Sequence, residues 1–241
     1  MDTGAVDDDE LLAYLGHELA RNYVQPGALA AIFDDLGVPL VANYLRKNKF
    51  PTDVSVRHGD FGEALTGALF RRVRRWCVPV LKLRYKHRPN QAVQGCDVLA
   101  FRLRADPPVV AVPEVKTRSA KDLGVGREAH ESLESVLQRL DESISFVFER
   151  LVENHNALAK HVGRLLMEPY EVARHIVLVH DRDRWDDRVV ERLVAVASQP
   201  IEVTVIRLPE LKDLVQRAYT AAEASPRRAA VAAQQEPVSN D

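Results

Sequence analysis

Residues 95–118 read GCDVLAFRLRADPPVVAVPEVKTR, and this stretch decides the fold. Two apolar runs, at 96–104 and 109–117, flank a turn of Ala, Asp and two prolines at 105–108. Apolar runs that are separated by turn-forming residues predict two strands joined as a hairpin.

The hairpin brings two acids and one amine to the same face. Pairing the strands symmetrically about the turn sets Asp97 opposite Glu114, and it sets Phe101 opposite Val110. Directly opposed residues share a face, with Cβ atoms roughly 5 Å apart. Lys116 lies two residues after Glu114, so its side chain projects from that face as well.

These residue types in this arrangement favour a metal-dependent hydrolase. Two carboxylates this close repel each other unless a cation lies between them. Magnesium typically takes one or two carboxylates with phosphate oxygens and water, and the carbonyl of Val115 offers one more oxygen. Beside such an ion, Lys116 is placed to orient water and to stabilise charge on a phosphate. The plainer alternative is that Asp97 and Glu114 are strand-end acids that pair with Lys116 and Arg118.

Basic residues are concentrated in one part of an otherwise acidic chain. Residues 71–121 contain 13 Lys or Arg against 3 Asp or Glu, a formal charge of +10, whereas the whole chain carries −2. A basic block of this kind is typical of a surface that binds a polyanion such as nucleic acid. Four of its members lie close to the predicted acids and are expected to contact phosphate: Lys82, Arg84, Lys86 and Arg118.

The elements around the hairpin alternate between helices and strands, which predicts an α/β fold with a mixed central sheet flanked by helices. We expect an N-terminal helical extension at 1–55, one α/β domain at 56–220 and a disordered tail at 221–241. The predicted order in the domain is a helix at 60–75 capped by Asp60 and Glu63, a strand at 80–86, the hairpin, a helix at 128–154, a strand at 175–179, a helix at 186–198, a strand at 201–208 and a last helix from 209.

Composition excludes several classes of protein. The chain has 241 residues, of which 46% are hydrophobic and only two are cysteines, so a disulfide-rich secreted scaffold is excluded. Its apolar runs are shorter than the ~20 residues that span a membrane. The N-terminus is acidic where a signal peptide would be basic. We therefore expect a cytoplasmic protein that does not engage a membrane.

Beyond these patterns, the sequence resembles the PD-(D/E)XK nuclease superfamily, whose core runs helix, three-stranded meander, helix and strand. The resemblance rests on a helix with Glu63, on Asp97 and, after sixteen residues, on Glu114-Val115-Lys116. More narrowly, the chain looks like the HamA-like family, the nuclease subunit of Hachiman antiphage defence. The short motifs that carry this narrower likeness are Gly62-Glu63, Lys82-Leu83, Gly95-Cys96-Asp97 and Glu114-Val115-Lys116.

The resemblance implies a restriction-endonuclease-like core that hydrolyses DNA with Mg²⁺, or with Mn²⁺ as a substitute. It assigns Asp97 and Glu114 as metal ligands, Lys116 as the catalytic lysine and Glu63 as the glutamate that completes the metal site. The alternative for Glu63 is a cap of its own helix. The resemblance also implies a separate HamB-like helicase as partner, since this chain carries no Walker A motif.

Three interpretations remain open at the level of sequence. The chain is either a nuclease or a catalytically inert nuclease-fold module that binds nucleic acid or docks a helicase. A third interpretation is a stand-alone restriction-type endonuclease. Pro113 interrupts the second strand of the hairpin and indicates a bulge, which would shift the pairing of Asp97 with Glu114.

Overall fold

The computed structural model describes residues 8–25, 37–91, 93 and 95–224. These residues belong to two compact units, each made from separate segments of the chain. The first unit takes its residues from 1–65, 83–93 and 210–241, and the second takes its residues from 66–82 and 94–209. The boundaries predicted at 55 and 220 divide the chain differently, because the C-terminal helix belongs to the same unit as the N-terminal helices.

Helices and strands alternate through the second half of the chain, as the sequence predicts. In chain order they are α1 (Asp8–Tyr23), α2 (Val38–Asn48), α3 (Val54–Ala68), β1 (Ala100–Arg102), β2 (Val109–Arg118), α4 (Val125–Leu137), α5 (Leu140–Glu153), α6 (Ala159–Arg164), β3 (Glu171–Asp181), α7 (Arg188–Val196), β4 (Glu202–Leu208) and α8 (Leu211–Ala224). A π-helical turn (Leu69–Val73) follows α3, and short 3₁₀ turns cover Lys82–Tyr85 and Arg182–Arg184. None of the described helices is both long and apolar enough to cross a bilayer.

The second unit is built on a mixed sheet in the order β1-β2-β3-β4. β1 is antiparallel to β2, whereas β2, β3 and β4 are parallel to one another. The inner strands are buried almost throughout, as expected for parallel strands that helices cover. One face packs against α4 and α5 through a core that includes Leu133, Leu140 and Ile144. The predicted α/β fold with a mixed sheet flanked by helices is confirmed.

The register predicted for the hairpin is confirmed. Phe101 pairs with Val110, and β2 runs alongside β3 from Val109 to Arg118 without a bulge at Pro113. The main-chain N–H of Val115 points to the β1 side, and alternate residues of a strand direct their N–H groups the same way. Proline has no backbone N–H. At position 113 that N–H would point to the β1 side, beyond the end of the ladder between β1 and β2.

The prediction of a strand at 80–86 is wrong. Residues 80–86 alternate between apolar and basic side chains, but residues 82–85 form a 3₁₀ turn. Among the described residues between α3 and β1, the only strand-like pairing is an isolated bridge that Cys77, before this segment, forms with Phe101. The strand predicted at 96–104 is also shorter, since the ladder covers only 100–102.

The helix boundaries differ from the prediction in three places. α3 begins at Val54, so Asp60 and Glu63 lie in its interior and the predicted cap is wrong. The helix predicted at 128–154 is broken between Leu137 and Leu140, where the chain carries neither Gly nor Pro. α8 continues to Ala224, so the tail does not begin at 221; residues 225–241 lie outside the described residues.

Candidate active site

Glu114 and Lys116 project from the same face of β2, as predicted. The Lys116 Nζ lies 3.0 Å from Glu114 Oε1, and the Glu114 side chain is only 7% exposed. The flanking positions Val110 and Val112 belong to the apolar core on this face. The strand thus leaves the core with a buried carboxylate and a partly buried amine in contact with each other.

Asp97 reaches the same site from the loop before β1. Its Oδ2 accepts a hydrogen bond of 3.0 Å from the backbone N–H of Val115. The loop is also tied to α5, since the N–H of Cys96 donates to Ser143 Oγ at 3.3 Å. Gly95 has φ +94°, and a Cβ there would lie 3.1 Å from Ser143 Oγ, so this turn favours glycine twice over. The predicted convergence of Asp97, Glu114 and Lys116 is therefore present.

The electrostatics show that these groups act on one another. Burial and the neighbouring Asp97 charge raise the pKa of Glu114 to about 7, against the attraction of Lys116 and Lys82. Burial by itself would lower the pKa of Lys116, but the charges of Glu114, Glu128 and Asp97 outweigh it and raise that pKa. The site therefore holds Lys116 as a cation beside a carboxyl group that gives up its proton near neutral pH.

Two further charged residues surround this trio. Lys82 Nζ lies 3.5 Å from Asp97 Oδ1, and its side chain is only 9% exposed. Glu128, in the first turn of α4, lies 3.5 Å from Lys116 Nζ through Oε1 and also pairs with Arg118. Lys82 is thus a partner of an acid as well as a predicted phosphate contact. Sequence reasoning missed Glu128, because an acid in the first turn of a helix is common on helix-dipole grounds alone.

The donor set suits a hard divalent cation. The carboxylates of Asp97 and Glu114 provide oxygen ligands. Burial, and after it the repulsion of Asp97, raises the pKa of Glu114, and a bound cation would relieve that repulsion. Over the described ranges, no group of three or more His, Cys, Asp or Glu converges on one point. A cation held here would therefore depend on two carboxylates, the carbonyl of Val115 and oxygens from water or substrate.

The remaining predicted residues are placed differently. Glu63 lies half-buried in the interior of α3, in the part that belongs to the first unit, and its assignment as a metal ligand stays a prediction. Lys86 forms an ion pair with Asp60, and its side chain is only 3% exposed. Arg84 donates through Nε to the carbonyl of Arg21 at 3.1 Å. Both basic residues thus have protein partners inside the first unit.

The ion pair of Lys86 with Asp60 belongs to a larger buried network in the first unit. Asp60 also accepts a hydrogen bond from the Tyr23 hydroxyl, which lies 2.9 Å from the hydroxyl of Tyr219. The network joins side chains of α1, α3 and α8 with Lys86. Within this network, Lys86 provides the cationic partner that the buried Asp60 requires.

Comparison with known proteins identifies one family. A family model described as HamA matches residues 2–222, which is most of the chain. No curated protein matches the chain significantly.

Proposed function

Because the chain belongs to the HamA family, we propose that it is a metal-dependent nuclease that hydrolyses DNA phosphodiester bonds. We place its second unit with the PD-(D/E)XK nucleases and the protein itself in Hachiman defence, where a separate helicase would be its partner. The observation that supports this proposal best is the meeting of Asp97, Glu114 and Lys116 at one partly buried site.

Each residue of the site has a chemical role in this proposal. Asp97, Glu114 and the carbonyl of Val115 would hold Mg²⁺ or Mn²⁺, which when bound supplies an activated water and charge compensation at the phosphate. The N–H of Val115 fixes the orientation of Asp97. Lys116 remains protonated, so it would orient the attacking water and donate to a phosphate oxygen. Lys82 would contact the next phosphate or hold Asp97 in place.

The direct test is cleavage of plasmid DNA by the purified chain in Mg²⁺, alone and with the helicase of its defence system. We expect Lys116→Met to lower the cleavage rate at least about 100-fold, because it removes a charge that acts on the developing negative charge of the phosphate. Asp97→Asn is expected to have an effect of the same order.

Matched controls come from exposed residues of the same unit. Lys160 is exposed at the start of α6 and Glu149 is exposed on α5, so Lys160→Met and Glu149→Gln change the same charges away from the site. Both controls should retain the wild-type rate. Full cleavage by Lys116→Met or by Asp97→Asn would contradict the proposed function.

One observation favours the inert module as a second candidate. Asp97 is already paired with Lys82 and Glu114 with Lys116, so the two acids have cationic partners without a metal. In an inert module these pairs would be structural, and the same surface would only bind nucleic acid or a helicase. The two candidates differ in metal binding, because only the nuclease needs an ion that depends on both acids.

A further inference from the structure

We propose that a cavity beside Asp97 binds one unpaired nucleobase of the DNA strand being cut. This inference rests on the proposed function and adds the class of substrate, a single-stranded or locally unwound segment. The cavity has a volume of about 200 Å³ and lies within the second unit, between the loop at 95–99 and helices α4 and α5.

One part of the cavity wall is apolar and includes an aromatic ring, while Arg139 and Glu142 line another part. The apolar part is lined by Leu99, Val136, Phe146 and Val147. The guanidinium of Arg150 lies 5.2 Å from the centroid of the Phe146 ring, an arrangement that fixes the ring by a cation–π contact. Apolar walls with an aromatic side chain are the surroundings in which bases stack, whichever base is present.

The size of the cavity favours a single base. Pockets for drug-sized ligands usually have ~300–1,000 Å³. At about 200 Å³, this cavity matches one flat ring system better than a complete nucleotide with its sugar and phosphate. Polar groups for the edge of a base are also present, since Ser135 and Ser143 are among the lining residues.

The cavity is continuous with the candidate active site. Lys82 and Asp97 line the cavity, and the same two side chains form the ion pair next to Glu114. A phosphate held by Lys82, beside Asp97, would therefore have its attached base at the entrance of the cavity. A base that is paired in a duplex cannot enter, so the strand must be unpaired at this position. An enzyme that separates strands would supply such a substrate.

Filling the cavity tests this proposal without any cleavage. We would measure binding of a labelled single-stranded oligonucleotide and of the blunt duplex of the same sequence by fluorescence anisotropy, in EDTA. Val136→Phe should weaken single-strand binding about tenfold, the order expected for one lost stacking contact. Duplex binding should change less than twofold. The matched control is Val152→Phe, which places the same ring on an exposed valine of α5 and should change neither affinity.

A second variant guards against misfolding of the first. Phe146→Leu keeps an apolar side chain but removes the ring, and it should also weaken single-strand binding selectively. Circular dichroism of both variants confirms that they fold. Equal losses for single strand and duplex, or no loss for either substrate, would overturn the proposal, and so would a wild-type chain that does not bind single strands.

A competition experiment distinguishes a base that belongs to a DNA strand from the base of a free nucleotide. A free deoxynucleoside monophosphate should compete at least about tenfold more weakly than the oligonucleotide, because only the strand carries further phosphates beyond the one attached to the bound base. Equal affinity for the free nucleotide, lost in Val136→Phe, would assign the cavity to nucleotides and overturn the strand proposal. Since these measurements are made in EDTA, they stand even if the chain proves not to be a nuclease.

Discussion

At the scale of single residues, the protonation state of the Glu114 carboxyl group decides whether the site can bind a cation. Burial and Asp97 favour its neutral form, while Lys116 at 3.0 Å favours the carboxylate. The balance brings the pKa to about 7, far above the ordinary value of 4.5. A group poised in this way binds a cation readily at neutral pH, since little free energy is needed to remove its proton.

The raised pKa of Glu114 predicts how stability depends on pH when metal is absent. Between pH 4.5 and about 7, the unfolded chain loses this proton while the folded chain keeps it. The free energy of unfolding should therefore fall as the pH rises through this interval, by up to about 3 kcal/mol from this residue. Urea denaturation in EDTA at several pH values measures the slope.

Glu114→Gln removes this contribution because the amide does not titrate. The difference in unfolding free energy between Glu114→Gln and wild type should grow in favour of the variant from pH 4.5 to 7. Glu149→Gln, the exposed control, should keep the wild-type slope. Parallel curves for Glu114→Gln and wild type would show that the pKa of Glu114 is not raised.

Glu128 is expected to compete with DNA for the cations of the site. It contacts Lys116 and also pairs with Arg118, so its carboxylate occupies positions that a phosphate would take. Glu128→Gln should tighten binding of DNA in EDTA by roughly threefold to tenfold, in line with ~1 kcal/mol for a partly exposed ion pair. Glu131→Gln, at an exposed position of the same helix, should leave the affinity unchanged. Weaker binding by Glu128→Gln would contradict this role.

The sequence predicts some of these residues better than others, for a physical reason. Asp97, Glu114 and Lys116 follow from strand alternation and hairpin pairing, which are local rules. Glu128 reaches the site only because α4 packs against the sheet, and no local pattern encodes that contact. Lys86 was expected at the DNA surface, but its neighbour is Asp60, twenty-six residues earlier in the chain.

At the scale of elements, the packing of α4 against α7 supports the strand that carries the site. Gly126, in the first turn of α4, lies so close to α7 that a Cβ would be 3.0 Å from the carbonyl oxygen of Val189 and 3.1 Å from Leu193 Cβ. A backbone carbonyl within a helix cannot move aside alone. Any larger side chain at Gly126 must therefore displace one of the two helices.

Gly126→Ala is expected to destabilise the protein. Overpacking typically costs about 1–3 kcal/mol, more than the gain of up to ~1 kcal/mol from replacing glycine by alanine in a helix. Gly59→Ala is the matched control, because Gly59 lies inside α3 and an added Cβ meets nothing within 4 Å. That variant should gain about 0.5–1 kcal/mol. Urea denaturation of both variants measures the difference, and a stabilised Gly126→Ala would refute the close approach.

The elements that the sequence predicts well are those with a single strong pattern. The apolar runs at 109–117 and 175–179 predict β2 and β3, and both strands are present, although β3 extends further, over Glu171–Asp181. Residues 80–86 alternate as a strand would, yet residues 82–85 form a 3₁₀ turn with Leu83 buried. The break after Leu137 is equally hidden, because the apolar positions of α4 and α5 continue one helical pattern while both helices bury residues in one core.

At the scale of the whole molecule, the basic block is less free than its formal charge of +10 indicates. At least six of its 13 basic residues form ion pairs with acids: Arg74, Lys82, Lys86, Lys116, Arg118 and Lys121. Several of the acids lie outside 71–121 in sequence, among them Asp60, Glu128 and Glu202. Folding therefore neutralises charge that a count along the sequence leaves exposed.

This pairing predicts a moderate dependence of DNA binding on salt. Because at least six of the 13 basic residues are held in ion pairs, the plot of log affinity against log salt concentration should have a slope no steeper than about −6 for duplex DNA. Contacts by all 13 basic residues would give about −12. Anisotropy titrations in EDTA at several salt concentrations measure this slope, and a value close to −12 would show that the ion pairs open on binding.

The central claim is that Asp97 and Glu114 together hold a divalent ion beside Lys116, and calorimetric titration with Mn²⁺ tests it most directly. The wild-type chain and Lys116→Met should each bind an ion at this site, while Asp97→Asn and Glu114→Gln should bind it at least about tenfold more weakly. Glu149→Gln should bind as the wild type does. A wild-type chain without Mn²⁺ binding, or binding that survives in both acid variants, would contradict the account.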